Sequence, residues 1–133
     1  MALTADRNTQ MKDGELIGVP VAASVKIYAG SLVAANATGY ATPGAVATTL
    51  TYLGRAEEYV DNSAGAAGAK TVQVRRRKAF KFKNYASDLI VQADLGKVCY
   101  IYDDETVAKT NGTSTRSAAG TIVGIDTDGV WVQ

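Results

Sequence analysis

Turn-forming residues recur at short intervals along this chain, and their spacing limits how long any regular element can be. The turn signals are the pairs Ala29-Gly30, Thr38-Gly39, Pro43-Gly44, Asp61-Asn62, Asn111-Gly112 and Asp128-Gly129. Short stretches rich in β-branched and aromatic residues lie between them, at 31–35, 50–60, 71–83, 97–102, 121–125 and 130–132. Many short strands separated by glycine turns are typical of sandwiches and barrels. The sequence therefore predicts a mainly β fold, either a β-sandwich of jelly-roll type or a β-barrel.

The chain changes character near Glu15. Residues 1–14 are polar and lack a regular apolar pattern, which predicts an extended arm that is at least partly flexible in the free monomer. Beyond them, apolar residues alternate with the period of a half-buried strand, at Ile17, Val19, Val21, Ala23, Val25 and Ile27. Pro20 has no N–H to donate, so it indicates an edge position, a bulge or a break. We expect residues 15–133 to form one domain, because the length is ordinary for a domain and no repeat is present.

The clearest local unit is the C-terminal segment 121–133. Two apolar stretches flank a turn around Asp128 and Gly129, which predicts a β-hairpin whose Trp131 packs in the core or in an interface. The best helical candidate is 86–95, after Asn84, although it is short. Residues 61–69 are rich in glycine and alanine and indicate an exposed, mobile loop.

Composition disfavours several classes of function. The chain has 14 basic and 13 acidic side chains and a formal net charge of +1, so no overall field attracts nucleic acid or an anionic membrane. It contains no histidine and one cysteine, which removes the commonest general acid–base group and most zinc ligands. The motifs of serine hydrolases and phosphate-binding loops are also missing. We therefore expect no enzymatic activity, no cofactor and no bound metal.

The single cysteine, Cys99, lies in an apolar stretch and cannot form an internal disulfide. We expect it to be a buried, reduced core residue. No apolar run approaches the length of a membrane span, and residues 1–14 do not resemble a signal peptide. These features predict synthesis and folding in a reducing cytoplasm, without a membrane partner.

The strongest charge feature is the basic run at 75–78, followed by Lys81 and Lys83 and interleaved with Phe80 and Phe82. Cations and aromatic faces along a strand are what a platform for single-stranded nucleic acid requires. Alternation offers a plainer interpretation, in which the phenylalanines join Val72 and Val74 in the core and the cations face solvent. A break in the strand near Arg76 fits this second interpretation. Contact with an acidic protein surface is a third possibility.

Acidic residues cluster in three places. The triplet 103–105 follows a predicted strand, and we favour a turn over a calcium site because neighbouring residues of an extended chain point apart. Asp126 and Asp128 fit a hairpin turn better than a calcium loop. Glu57 and Glu58 could join the triplet in a two-carboxylate hydrolase, although nothing in the sequence fixes their separation.

Tyrosine is abundant, with seven residues, and it is a residue type enriched at protein interfaces. Tyr100 and Tyr102 alternate with Cys99 and Ile101, so both faces of that stretch are apolar. This pattern predicts a strand buried on both sides, or one side buried by another subunit.

Several stretches together resemble a family of small proteins encoded beside the major capsid protein of tailed phages and prophages. They are Val25-Lys26-Ile27-Tyr28-Ala29-Gly30, the turn at 36–40, Gly54-Arg55-Ala56-Glu57, the basic strand at 72–82, Tyr102-Asp103-Asp104, Ala119-Gly120 and Val123-Gly124-Ile125-Asp126. The resemblance covers nearly the whole chain after the arm. Its motifs are structural glycines and strand patterns, so it supplies no catalytic residues.

The resemblance implies a capsid cement, or head decoration, subunit located on the outside of the virion. Such a protein assembles with itself as a dimer or trimer and binds the major capsid protein. We expect partner contacts in the arm, the basic run and the terminal hairpin, at Arg7, Lys12, Arg75, Arg77, Lys81 and Trp131. The alternatives are a single-stranded nucleic-acid-binding barrel that uses 75–83, and another phage component such as a connector or tail protein.

Overall fold

A computed structural model describes all residues, 1–133, and shows a mainly β protein with twelve strands. The first seven strands lie in the N-terminal half: β1 (Leu16–Pro20), β2 (Lys26–Ile27), β3 (Leu32–Ala35), β4 (Ala41–Pro43), β5 (Thr51–Ala56), β6 (Val60–Asp61) and β7 (Thr71–Arg75). The other five follow: β8 (Phe80–Asn84), β9 (Val98–Ile101), β10 (Thr106–Ala108), β11 (Ala118–Asp126) and β12 (Gly129–Val132). The predicted mainly β class is confirmed.

The two halves of the chain form two different sheets. In the N-terminal half, five antiparallel strands have the order β1-β7-β5-β3-β4, and β2 and β6 pair separately. In the C-terminal half, the order β10-β8-β12-β11-β9 closes on itself as a barrel. The barrel closes through a parallel pairing of β10 with β8, whereas its other pairings are antiparallel. The fold is therefore consistent with the predicted sandwich or barrel, with an open sheet in one half and a closed barrel in the other.

Strand β3 joins the cores of the two halves because it is buried on both faces. Leu32 and Ala34 pack into the cluster that fills the barrel, together with Ile101, Val107 and other barrel residues. Val33 points the opposite way, into the cluster formed by the N-terminal sheet. Burying apolar side chains on both faces of one strand is how a central strand ties two layers together.

The predicted first strand is real but shorter than its alternation suggests. Strand β1 ends at Pro20, and it lies at the edge of its sheet, as the proline indicated. Beyond the bridge at Val21, the chain turns through Ser24, whose φ is +61°, and Ala23 is exposed. Alternation continues through the turn by coincidence, and pairing resumes only at β2.

The basic stretch also divides into two strands, which confirms the break expected near Arg76. Strand β7 ends at Arg75 and β8 begins at Phe80, with Arg77 between them at a φ of +61°. The segment before the break faces the N-terminal core through Val72 and Val74, and the segment after it faces the barrel core through its phenylalanines. The four residues are all buried, but they belong to two cores rather than to one face.

The helical candidate at 86–95 is reduced to one 3₁₀ turn at Gln92–Asp94. The Asn84 side chain forms hydrogen bonds with both backbone groups of Ile90, which a helix would otherwise satisfy. Its Nδ2 donates to the carbonyl oxygen of Ile90 at 2.8 Å, and its Oδ1 accepts from the N–H of Ile90 at 2.9 Å. Ile90 is thereby placed in the barrel core, while Leu89 stays exposed. No helix in the structure has the length and hydropathy needed to cross a bilayer.

The loop at 61–69 is tied to the body through Asn62. This residue is only 1 % exposed, and its Nδ2 donates to the carbonyl oxygens of Ala22 at 2.9 Å and Ala66 at 3.0 Å. Most of the loop is exposed, as predicted, but its glycine- and alanine-rich pattern does not reveal this buried amide.

Strand β9 corrects the expectation for the tyrosine-rich stretch. Cys99 and Ile101 are fully buried, whereas Tyr100 is half-buried and Val98 is 45 % exposed. The strand is therefore covered on one face only in the single chain, and the alternative of a subunit contact on the outer face stays a prediction.

We predict that Gly54→Ala destabilises the fold by about 2 kcal/mol or more, since strained or overlapping backbone sites cost this much. Gly54 follows a bulge in β5, with a φ of +153°, and an added Cβ would overlap the carbonyl oxygen of Arg75. Gly39→Ala is the matched control, because Gly39 has a φ of +86° but open space around it. It should cost only about 1 kcal/mol in urea unfolding. Equal losses would show that the close approach of β5 and β7 is unimportant.

We predict that Cys99 resists alkylation in the folded protein. Burial raises the pKa of its thiol to about 12, so the reactive thiolate is scarce at pH 8. Labelling by iodoacetamide, followed by mass spectrometry, should be roughly a thousandfold slower in buffer than in denaturant. Fast labelling of the folded chain at pH 8 would contradict the closed barrel core.

Candidate interaction surface

The arm is the most exposed part of the molecule. All residues from Met1 to Asp13 are exposed and lie outside the sheets. No ion pair includes Arg7 or Lys12, the two arm residues expected to bind a partner. The structure therefore places both cations in solvent, at positions separate from the folded surface.

The root of the arm is fixed by the turn between β7 and β8, which we call the basic turn (residues 75–78). The N–H of Arg76 donates to the carbonyl oxygen of Glu15 at 2.7 Å, and Lys78 forms an ion pair with the Glu15 carboxylate at 2.9 Å. The Arg77 guanidinium lies beside Gly14, where an added Cβ would be 3.7 Å from Nη1. The expected site residue Arg77 thus contacts the arm root.

Most cations of the basic stretch are already neutralised. Arg75 pairs with Glu57 at 3.3 Å, and Lys83 pairs with Glu105 at 2.7 Å. Glu57 also accepts from Arg55, and this hydrogen bond is the main reason why the pKa of Glu57 is lowered. Local pairing of this kind weakens the field that a phosphate backbone would meet.

The aromatic residues of this stretch are not on the surface. Phe80 and Phe82 are 6 % and 5 % exposed, and their ring centroids lie 6.5 Å apart within the barrel core. A base could not stack on either ring without disrupting the core. The nucleic-acid interpretation of 75–83 therefore lacks its aromatic component.

Trp131 corrects one of the two expectations for the terminal hairpin. The hairpin forms as predicted, but the tryptophan is 37 % exposed and does not enter the core. Its neighbours Val130 and Val132 are buried, so the indole lies on the outer face of β12. An interface role stays open, and a core role is wrong.

The indole is held in a defined orientation by the strands on both sides. Trp131 is paired in register with Lys81 of β8 and with Gly124 of β11. Its Nε1–H donates to Asp126 Oδ2 at 2.8 Å, and a Cβ on Gly124 would be only 3.1 Å from its ring. The Lys81 ammonium lies 5.8 Å from the ring centroid, within cation–π range.

Lys81 connects this tryptophan to the hairpin turn. Its ammonium pairs with Asp128 and, at 3.3 Å, with Asp126. The hydrogen bond with Asp128 raises the pKa of Lys81 and lowers the pKa of Asp128, so both groups are charged at neutral pH. We call the set Lys81, Gly124, Asp126, Asp128 and Trp131 the Trp131 face. It is the one place where two expected site residues, Lys81 and Trp131, meet.

The largest surface depression lies beside this face and has a volume of about 660 Å³. It separates residues 89–92 from the hairpin turn at 125–129. Two of its apolar residues, Leu89 and Val91, are 50 % and 40 % exposed. It is an open groove, which suits contact with a protein surface better than enclosure of a small molecule.

The acidic triplet forms a turn, as predicted. The N–H of Glu105 donates to Asp103 Oδ1 at 2.9 Å. Burial, with a contribution from the charge of Asp103, raises the pKa of Asp104. Nowhere in the structure do three or more carboxylate or thiol groups gather in a way that could hold a metal ion.

Glu57 and Glu58 are engaged in local contacts. Glu57 binds two arginines, and Glu58 Oε1 accepts from the N–H of Gln73 at 3.3 Å. These contacts explain both carboxylates as structural groups.

The sequence did not reveal an exposed tyrosine pair at the end of the small β2–β6 sheet. Tyr28 and Tyr59 are 57 % and 51 % exposed, and their ring centroids are 5.3 Å apart. Tyr28 follows Ile27 and Tyr59 precedes Val60, and because Ile27 and Val60 are paired in register, the two antiparallel strands bring the tyrosines together. Their separation along the chain hides this contact from local pattern analysis.

No protein family, curated protein or solved structure that was compared with this chain matches it.

We predict that Asp126→Ala frees the indole of Trp131, because it removes the acceptor of the Nε1–H. Trp131 is the only tryptophan, so its fluorescence anisotropy decay reports this motion directly. Asp128→Ala is the matched control, since Asp128 contacts Lys81 but not the indole. Faster local depolarisation in both variants alike would show that Lys81, rather than the hydrogen bond, holds the ring.

Proposed function

We propose that this chain is a cement subunit of a tailed-phage head, which binds the outside of the shell and stabilises contacts between major capsid proteins. The sequence resemblance supports this function. The observation that carries it in the structure is an exposed arm whose root is fixed to a β body by Arg76 and Lys78. An arm tethered to a folded β body gives the subunit two separate surfaces with which to bind the capsid.

The Trp131 face supplies a second adhesive element. Exposed aromatic residues with fixed orientation contribute much of the binding free energy at protein interfaces, because little side-chain entropy is lost on contact. The hydrogen bond of Trp131 to Asp126 provides such an orientation before any partner arrives. Lys81 and Asp128 beside it provide polar groups for the rim.

The mechanism of stabilisation is mass action. A ligand that binds the assembled lattice, and not the free capsid protein, stabilises the lattice by its binding free energy at every occupied site. Many equivalent sites on one shell make a modest affinity sufficient. The subunit is made in the host cytoplasm, binds the major capsid protein and further copies of itself, and breaks no covalent bond.

The nucleic-acid alternative has weaker support. Its aromatic residues Phe80 and Phe82 are buried, and its cations Arg75 and Lys83 already have carboxylate partners. That alternative predicts retarded migration of single-stranded DNA at low salt, with steep loss of binding as salt rises. The cement proposal predicts no retardation in the same gel.

We predict that removal of residues 1–14 lowers occupancy of heads at least tenfold at subsaturating protein, because the arm supplies one of the two attachments. The measurement adds purified protein to heads of the encoding phage that lack it, and quantifies the bound copies by densitometry after sedimentation.

A chain with the same arm residues in scrambled order is the control for length and composition. It should bind like the deletion variant if the arm is recognised by its sequence. Unchanged occupancy after deletion would reject the role of the arm, and failure of the intact chain to bind heads would reject the proposed function.

A further inference from the structure

Two surface depressions adjoin at Gly30. One, of about 270 Å³, includes Tyr28 and Asp104, and the other, of about 290 Å³, includes Arg55 and Trp131. Gly30 lines both. Its φ is +86°, and nothing lies within 4 Å of the position that a Cβ would occupy, so no atom blocks the space above the residue that the two depressions share. We call the combined feature the Gly30 groove, lined by Tyr28, Gly30, Arg55, Lys81, Asp104, Glu105 and Trp131.

The Tyr28 end of the groove lacks positive charge. Two successive carboxylates, Asp104 and Glu105, line it, and Lys83 forms an ion pair with Glu105. The raised pKa of Asp104, caused by burial and by the charge of Asp103, agrees with a shortage of cations. A cationic side chain bound there would meet these carboxylates and the exposed ring of Tyr28.

The Trp131 end has a different requirement. Its cations already have partners, since Arg55 pairs with Glu57 and Lys81 pairs with the hairpin carboxylates. The exposed indole remains, and it is suited to contact an apolar side chain. The groove therefore fits an extended segment with a cation at one end and an apolar residue at the other.

The arm has this arrangement on one face. In the single chain the N–H of Thr9 donates to the carbonyl oxygen of Arg7 at 3.1 Å, so the arm must open this turn to extend in the groove. Once the arm is extended, every second side chain points the same way, so Leu3, Arg7 and Met11 share a face, with about 13 Å between successive members. Leu3 and Met11 are 72 % and 99 % exposed in the single chain. The opposite face, which includes Lys12, is almost entirely polar.

We propose that the Gly30 groove of one copy binds the arm of a second copy, with Arg7 among the carboxylates at the Tyr28 end and Leu3 or Met11 on Trp131. In the single chain, no hydrogen bond or ion pair joins residues 1–12 to the folded body. The net charge of +1 opposes self-association little. This proposal rests on the self-association included in the proposed function and deepens it, because it names the segment and the groove that join two copies, and its test needs no capsid.

The test is sedimentation velocity of the full-length protein over a range of concentrations. We expect a discrete oligomer whose dissociation constant rises at least about tenfold in Arg7→Glu and in Trp131→Ala. Lys97→Glu is the matched control, because it makes the same charge change at an exposed position outside the arm and the Gly30 groove. It should shift the constant less than about threefold. Tyr28→Ala provides a second groove variant, and circular dichroism verifies that each variant is folded.

Mixing distinguishes exchange between copies from folding back within one chain. Arg7→Glu has a defective arm and an intact groove, whereas Trp131→Ala has the reverse. A mixture should form a 1:1 complex that neither variant forms alone at that concentration. A monomer at all concentrations, equal effects of Arg7→Glu and Lys97→Glu, or no complex in the mixture would each overturn the proposal.

The outcome for heads is separate. An intact chain that coats heads while remaining monomeric in solution would overturn arm exchange and leave the cement function standing. Arm exchange in a chain that never binds heads would leave the present proposal standing without the cement function.

Discussion

The fold depends on burying β3 from both sides. Leu32 and Ala34 belong to the barrel core, and Val33 belongs to the core of the N-terminal sheet. Without this strand the open sheet would expose one apolar face, and the barrel would lose part of the cluster that its own strands do not complete. The two halves, each built from consecutive strands, therefore share buried contacts through β3, and residues 76–79 connect them along the chain.

Local pattern was enough to predict the fold class and several turns, but not the way the strands divide between two cores. Val72, Val74, Phe80 and Phe82 keep the same alternation, yet the turn at Arg77 sends the first pair to one core and the second pair to another. A positive φ at a residue other than glycine has no signature in hydrophobic periodicity. For the same reason the turn at Ser24 was hidden inside an apparently continuous strand.

The candidate surface was predictable only in part. Lys81 and Trp131 were expected to contact a partner, and their pairing across β8 and β12 follows from tertiary register. The bulge in β11 between Ile122 and Gly124 shifts the pairing of β11 with β12 by one residue. As a result, Gly124 rather than Val123 lies opposite Trp131, and the indole packs over a glycine. The exposed pair of Tyr28 and Tyr59 depends on a strand pairing across more than thirty residues, which no local pattern contains.

The surface properties share one physical feature, which is that exposed groups are held in place by groups beside them. Asp126 holds the indole, Asn84 holds the loop around Ile90, and Lys78 holds the root of the arm. A surface organised in this way loses less conformational entropy when it is covered. The arm is the exception, because no hydrogen bond or ion pair joins residues 1–12 to the folded body.

The closed barrel limits aggregation at high protein concentration. Its parallel β8–β10 pairing leaves no free strand edge in the C-terminal half, so that half offers no template for strand addition. The open sheet has two edges, but one is the three-residue β4 and the other, β1, ends in Pro20. Both edges are thus poor nuclei for aggregation. A protein with blunted edges can reach high local concentration and still associate only through the surfaces that its side chains define.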